Sequence, residues 1–446
     1  MVKGLRRLPF TEESRVRIPY VVLRKALCGE LYLFYYLKHC PGLTKKIFIL
    51  SGVLCCQVLL ASAQVTDSTG NSSANIYPQK DLSDIVGQWL GHPPKKQVNP
   101  DSIDKGKLYI SVFPAIGYTL QTKLAAIIAG NVAFYTAPGN TNLSAITSSI
   151  AFTQNKQFTL PVQYNIWTKN NACNFQGDWR YYKYPQQTFG LGSDNSLSND
   201  GNLIDYSYIR FYNVALKKIA RNVYGGLGYF LDYHWHIKED GYSDGRTSDF
   251  KLYGGESKTI SSGYGINFLY DSRTNPVNPS GGAYANILYR SHTKWLGSDD
   301  NWQSLLIDAR KYFPLSKKSI LGFWSYNWLI ISGKPPYLDL PSTAWDTYTN
   351  TGRGFIQGRF RSHYMLYLES EYRFQLLNNG LLGGVVFANT QAFDNWQTKH
   401  FDKLQPAAGL GLRVKLNKYS KTNLDIDYGF GSGGSHGLFI NIGEVF

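Results

Sequence analysis

The chain of 446 residues carries a net charge of +15, is 15% aromatic with 33 Tyr, holds 43 Gly and has only 17% charged residues, at a mean hydropathy of −0.27. A bundle of membrane helices is far more apolar than this, and a soluble protein usually carries more charge and fewer aromatics. High Tyr and Gly with moderate hydropathy fit a transmembrane β-barrel, whose apolar band is interrupted at every second residue.

Part of the positive charge belongs to the N-terminus. Residues 1–63 hold ten Lys/Arg against three Asp/Glu, leaving 36 against 28, a net of +8, for the remainder. Those Lys and Arg are scattered and form no binding motif, so no nucleic-acid partner is expected. Cys28, Cys40, Cys55 and Cys56 also fall in the N-terminal stretch, and only Cys173 follows it. One thiol makes no disulfide within the exported chain, and with His residues at no ligand spacing it gives no metal or cofactor site.

In chain order, Lys45-Lys46, the apolar run Ile47 to Leu60 and Ala61-Ser62-Ala63 read as a signal peptide with cleavage after Ala63. Val21 to Leu37 is apolar but broken by Arg24, Lys25 and Glu30, which makes a poor transmembrane helix. Residues 1–40 read as an upstream start codon or as a cytoplasmic extension. Residues 64–107 form a short periplasmic linker. It is polar up to residue 80. A short amphipathic helix follows from Asp81 to Leu90, with Asp81 or Ser83 as cap and Gly91 as stop. Pro93, Pro94 and Pro100 then keep the chain extended.

From Leu108 sixteen strands are predicted, at 108–120, 123–137, 143–153, 156–168, 177–192, 204–216, 221–236, 258–271, 282–292, 302–313, 319–331, 362–376, 381–392, 405–416, 421–431 and 436–446. An even number of spans, each long enough to cross at the usual tilt, suits a closed bacterial barrel. Alternation sorts the faces. Leu410, Leu412, Val414 and Leu416 oppose Gly409, Gly411, Arg413 and Lys415. Leu424, Ile426, Tyr428 and Phe430 oppose Asn423, Asp425 and Asp427, and Leu305, Ile307 and Ala309 oppose Ser304, Asp308 and Arg310. A lipid-facing Arg or Lys at the bilayer midplane costs about 2–4 kcal/mol, so the charged faces point into a wet lumen. No repeat of about 40 residues supports a propeller. The expected fold is therefore all-β: a 16-stranded antiparallel transmembrane β-barrel over residues 108–446. Its long connections, 193–203, 237–257 and 332–361, alternate with short ones, as outer loops and periplasmic turns do.

Three stretches stand out. Thr351 to Leu376 joins a glycine-flanked basic turn, Arg353-Gly354-Phe355, to a strand carrying Glu369, Glu371-Tyr372-Arg373-Phe374. Tyr270 to Gly282 contains Asp271, Arg273, Asn275-Pro276, Pro279 and Gly281, with Pro fixing the backbone and Gly allowing a positive φ. The sequence ends in Asn441-Ile442-Gly443-Glu444-Val445-Phe446. Together these resemble the Omp85 superfamily of outer-membrane barrels, the bacterial surface antigen family, over roughly residues 108–446. The resemblance implies that Arg353-Gly354-Phe355 sits at the tip of the sixth outer loop, folded back into the lumen. It also implies that Ile442, Gly443 and Phe446 belong to a terminal strand read by the assembly machinery. Three positions depart from the family pattern. Phe387-Ala388-Asn389 stands where the family has an Asp facing the loop arginine, Phe355 replaces a Tyr, and Gln375 replaces a Pro. Asn389 can accept a hydrogen bond from a guanidinium but brings no charge, so Arg353 is expected to rely on Glu369 or Glu371.

The resemblance further implies an outer-membrane location, lipid as surroundings, and a role in inserting or translocating outer-membrane proteins. Residues 64–106 are too short for even one of the family's periplasmic POTRA modules. That points to an accessory role, with unfolded outer-membrane proteins or a periplasmic partner at hand. A passive structural or transport barrel is the alternative. No enzyme is expected, because Ser362-His363, as strand neighbours, point to opposite faces and cannot share a site.

Overall fold

The computed structural model describes residues 79–91, 108–138, 141–193, 201–418 and 421–446. The expected signal peptide, the N-terminal extension and the linker apart from residues 79–91 lie outside the described residues. The strands are β1 (Tyr109–Thr119), β2 (Lys123–Phe134), β3 (Ser144–Thr153), β4 (Phe158–Trp167), β5 (Cys173–Lys183), β6 (Gln186–Thr188), β7 (Asn202–Ala220), β8 (Val223–Glu239), β9 (Lys258–Asp271), β10 (Gly282–His292), β11 (Trp302–Ser316), β12 (Ser319–Gly333), β13 (Tyr364–Gln375), β14 (Leu382–Asp394), β15 (Phe401–Asn417), β16 (Thr422–Gly431) and β17 (His436–Ile442). Two α-helices lie among the described residues, α1 (Leu82–Trp89) and α2 (Asp249–Tyr253).

The described strands belong to one 17-stranded sheet, an antiparallel meander in which successive strands pair except that β5 and β6 both pair with β7. The prediction of sixteen spans and the seventeen observed strands differ at one place. β5 and β6 both pair with β7 in one continuous register, Lys183 opposite Ser207 and Gln186 opposite Ile204. The predicted strand 177–192 is thus a single span from Cys173 to Thr188 interrupted at Pro185, which has no N–H to give to the ladder. The last strand is shorter than predicted. It stops at Ile442, where Gly443 takes φ 100° and turns residues 443–446 away from the sheet.

The curled sheet is inside out relative to a soluble protein. Leu410, Leu412, Ile128, Phe152 and Leu227 are exposed on its outer face, while Arg180, Arg210, Asp232, Glu371 and Arg413 are buried within. Leu410 is 62% exposed and Glu371 1%. This is the polarity expected of strands whose outer side meets hydrocarbon. The sheet's edges, β1 and β17, touch: a Cβ on Gly437 would lie 2.9 Å from Leu120 Cδ1. Among the described residues no ladder register joins these two edges.

Helix α1 begins as predicted, with Asp81 as cap. The Asp81 carboxylate accepts from Asp84 N at 3.1 Å and the Asp84 carboxylate accepts from Asp81 N at 3.0 Å, a reciprocal capping box. No helix among the described residues is long and apolar enough to cross a membrane.

The exposed row of β15 gives a direct test of which side meets lipid. Leu410→Arg lowers the unfolding free energy by about 2–4 kcal/mol, and Asp402→Arg, at the strand's outer end, by no more than about 1 kcal/mol. Urea titration of the barrel in lipid vesicles, followed by tryptophan emission, measures both.

Candidate functional site

The candidate site is the lumen and the loop that fills it. Residues 334–363, between β12 and β13, fold inward and are stitched to walls on all sides. Arg361 donates to the carbonyls of Tyr337 (3.0 Å) and Leu338 (3.1 Å). The Tyr337 hydroxyl meets Thr188 on β6 at 2.6 Å. Thr347 O accepts from Gln163 on β4 (2.7 Å) and Arg180 on β5 (2.8 Å). Thr343 donates to Gln391 on β14 at 2.9 Å. Within the loop, the Asp346 carboxylate accepts from Thr351 N and Thr351 Oγ1, both at 2.8 Å, and from Asn350 N. This local turn holds the segment that leads into the tip.

The tip is Gly352-Arg353-Gly354-Phe355. Gly352 and Gly354 take φ 79° and 107°, values that a side chain strongly disfavours. Gly354 also lies flat on the wall. A Cβ on Gly429 of β16 would sit 2.7 Å from Gly354 N and 2.8 Å from Gly354 Cα. Backbone meets backbone there, and Ser435 Oγ donates to Gly354 O at 2.7 Å. Phe355 is buried against Phe360.

From this tip Arg353 projects into a nest of carboxylates. Its Nη2 donates to Glu369 and to Glu371, and its Nη1 donates to Asp427 on β16 at 2.6 Å. Its guanidinium lies 3.7 Å from the centre of the Phe387 ring. Glu369 also accepts from the Tyr367 hydroxyl. Glu371 accepts from Arg373 Nε at 2.6 Å, and Asp427 from Arg413 Nη1 at 2.5 Å. Fully desolvated charges persist only when paired in this way. Asn389 behaves differently from expectation. Its Nδ2 donates to the Arg353 backbone carbonyl at 2.9 Å and does not receive the guanidinium. Asp427 was not singled out as an anchor from the sequence. The available signal was its place on the charged face of the strand 421–431.

The other motifs meet at the short-turn end. Arg273 forks onto Asp271 at 3.0 and 2.8 Å and donates to Pro276 O at 3.4 Å. Asn275 Oδ1 accepts from the amides of Val277 and Asn278, which shapes the turn around Pro276 and Pro279. The positive φ falls on Gly282, at 93°, and not on Gly281. Ile442 pairs with Leu424 at the end of β17. Beyond Gly443 the chain enters the lumen. Phe446 stacks on Trp324 and Tyr312, and Phe446 O accepts from Arg373 at 2.6 Å. Asn278 of the turn donates to Glu444 at 3.0 Å, and Asn350 of the loop donates to Val445 O at 2.8 Å. The turn motif, the last residues and the loop thus form one connected set of contacts.

A second fastening of the loop is acidic. Asp339 accepts from Ser261 on β9 at 2.5 Å and lies 3.6 Å from His234 on β8. Burial, with the nearby Asp232 carboxylate, pushes the Asp339 carboxyl up to about 8.

Two outcomes follow for this site. Arg353→Ala leaves buried Glu369 without a cation, takes one of the cationic partners from Glu371 and from Asp427, and lowers barrel stability by about 3–5 kcal/mol. Arg353→Lys recovers only part of the loss, because an ammonium cannot reproduce the guanidinium fork. The midpoint of heat-induced mobility shift on a gel reads both. For Asp339, an acid whose pKa is raised on folding stabilises fully below its unfolded value of about 4. That contribution fades as pH rises towards about 8. Proteolytic nicking of residues 334–363 in the folded barrel therefore increases between about pH 5 and about pH 9, and Asp339→Asn flattens the dependence.

No protein-family model matches the chain, and no curated protein matches it in sequence. Among solved structures, CdiB from Acinetobacter baumannii is similar at 12% identity and a TM-score of 0.48, over 82% of this chain and 72% of that one. CdiB from Escherichia coli is similar at 11% identity and a TM-score of 0.47, over 77% and 68%. BamA from Haemophilus ducreyi lacking POTRA domains 1–3 is similar at 14% identity and a TM-score of 0.50, over 76% of this chain and 70% of that one. The likeness to BamA concerns the fold: one antiparallel β-sheet curled like that protein's barrel, here with charged residues buried inside and apolar residues exposed outside.

Proposed function

We propose that the chain is exported to the outer membrane of a Gram-negative bacterium, where its barrel, residues 108–446, takes part in inserting or translocating outer-membrane proteins. On this reading its role is accessory, beside a partner that supplies a periplasmic arm. The observation that carries this reading is the seam. β1 and β17 touch without a shared ladder, and β17 is only seven residues long. The anchored tip lies immediately behind it on β16, through Gly354, Gly429 and Asp427. The loop contacts β13, β16 and, through Asn350 and Asn441 at 2.8 Å, β17; on this reading the gap in the ladder between β1 and β17 is the entry for client strands. On this reading Arg353, Gly354, Phe355, Glu369, Glu371 and Asn389 order the wall beside the seam. Asp271, Arg273, Pro276, Pro279 and Gly281 brace its short-turn end. Ile442, Gly443 and Phe446 act as an assembly signal before Phe446 is buried.

A passive structural or transport barrel is the second reading. It is favoured by the density of the lumen, where the loop and its ion pairs occupy the interior. Client folding separates the two. The barrel is reconstituted in liposomes, an unfolded outer-membrane protein is added, and its folding is followed by heat-resistant mobility on a gel. Faster folding than in empty liposomes, lost in Arg353→Ala, is the expected outcome. No acceleration by a heat-modifiable wild-type barrel would overturn the insertion reading in favour of the passive one.

A further inference from the structure

Helix α1 presents an apolar stripe that nothing among the described residues covers. Leu82, Ile85, Val86, Trp89 and the C-cap Leu90 recur at the spacing of one helical face. All five are exposed, Trp89 at 84% and Leu90 at 61%. The helix is held by its opposite, polar side. Lys418 Nζ donates to both Asp84 oxygens, at 2.9 and 2.7 Å. Lys418 N donates to Asp81 Oδ2 at 3.0 Å, and Lys80 N donates to Asn379 O at 3.0 Å. These contacts fasten α1 to the turns β13–β14 and β15–β16, at the short-turn end.

We propose that α1 is an interfacial helix, whose stripe lies in the headgroup and upper acyl region of the leaflet on the short-turn side of the membrane, and that this leaflet contains anionic phospholipid. Three observations choose lipid as the occupant. The first is continuity. The outward row of β15, Leu410, Leu412, Val414 and Leu416, runs directly to Lys418, where α1 is fastened. Leu376 and Leu377, exposed in the β13–β14 turn, lie beside the second fastening point. The stripe thus prolongs the lipid-facing band of the barrel. The second is composition. The stripe carries no charge and bears an exposed Trp, a side chain favoured at membrane interfaces. The third is charge. Lys217, Lys218, Arg221, Lys317, Lys318 and Lys421 lie at the strand ends and turns of this same rim. The acidic Asp271 and Glu444 there are already engaged by Arg273 and Arg413. A basic rim suits anionic headgroups. The helix would add a flat contact with the leaflet beside β13–β16, independent of whether the barrel handles clients.

The test uses the full chain with a fluorescent noncanonical residue in place of Val86, on the stripe, or of Gln88, on the polar side. Each protein is reconstituted in nanodiscs of phosphatidylethanolamine and phosphatidylglycerol, with or without lipid bearing a nitroxide just below the headgroup. A heat-mobility gel confirms a folded barrel in every sample. The expected result is several-fold stronger quenching at position 86 than at position 88. The contrast falls when phosphatidylcholine replaces phosphatidylglycerol, and it is lost when Asp84→Asn and Lys418→Gln release the helix. Equal, weak quenching at both positions would overturn the proposal. So would a position-86 probe equally shielded in lipid-free amphipol, which would show protein covering the stripe. Shielding there that grows with protein concentration would identify a second copy as the occupant.

Discussion

A bilayer core offers no hydrogen-bond partner, so every backbone amide within it must find one inside the protein. That constraint organises this molecule. It forces the strands into one antiparallel meander and forbids charge on the outer face. It also places Arg180, Arg210, Asp232, Glu371 and Arg413 inside, where each is paired. The pairing has a local form. An acid and an arginine two positions apart on a strand share one face, and the guanidinium folds back on its neighbour. Asp178 with Arg180, Asp308 with Arg310 and Glu371 with Arg373 all do so. Asp271 with Arg273 repeats the arrangement at a strand end.

These strand-local pairs leave acidic groups over, and the lumen loop meets them. Arg353 comes from outside the sheet to satisfy Glu369, Glu371 and Asp427, which stand on two separate strands. It can reach them because Gly354 and Gly429 let backbone lie on backbone. The loop is therefore the barrel's core in the literal sense. It supplies buried aromatic surface, and its Arg353 and polar groups give the lumen acids and amides the partners that water gives them in an open pore. A buried pair of this kind is costly to break, which explains why one loop ties so many strands together.

The two ends of the barrel differ in kind. At the long-loop end the tie is hydrophobic and polar packing among loops. At the short-turn end it is a chain of named contacts, from Asn278 to Glu444 and from Arg373 to Phe446. Gly443 makes this possible by turning the last residues inward. Between these ends runs the seam of β1 and β17, where, among the described residues, no ladder joins the two strands.

Alternation made the spans legible in the sequence, because a period of two with one apolar face is a local property of each strand. The boundaries of 258–271 and 282–292 coincide with β9 and β10 for that reason. The capped helix at Asp81 was equally local. Arg353 and the two glutamates of β13 could be named because they share one motif stretch. The sequence could not decide what depends on contacts between distant segments. The break at Pro185 could be placed only against the register of β7. Asp427 became an anchor because β16 curves beneath a loop seventy-four positions earlier in the chain. Asn389 turned its amide to the Arg353 carbonyl because the guanidinium was already occupied by charge. Phe446 went inward because Trp324 and Tyr312 offered it an aromatic bed. Periodicity fixes which face of a strand a residue occupies, but only the curl of the whole sheet brings one face against another.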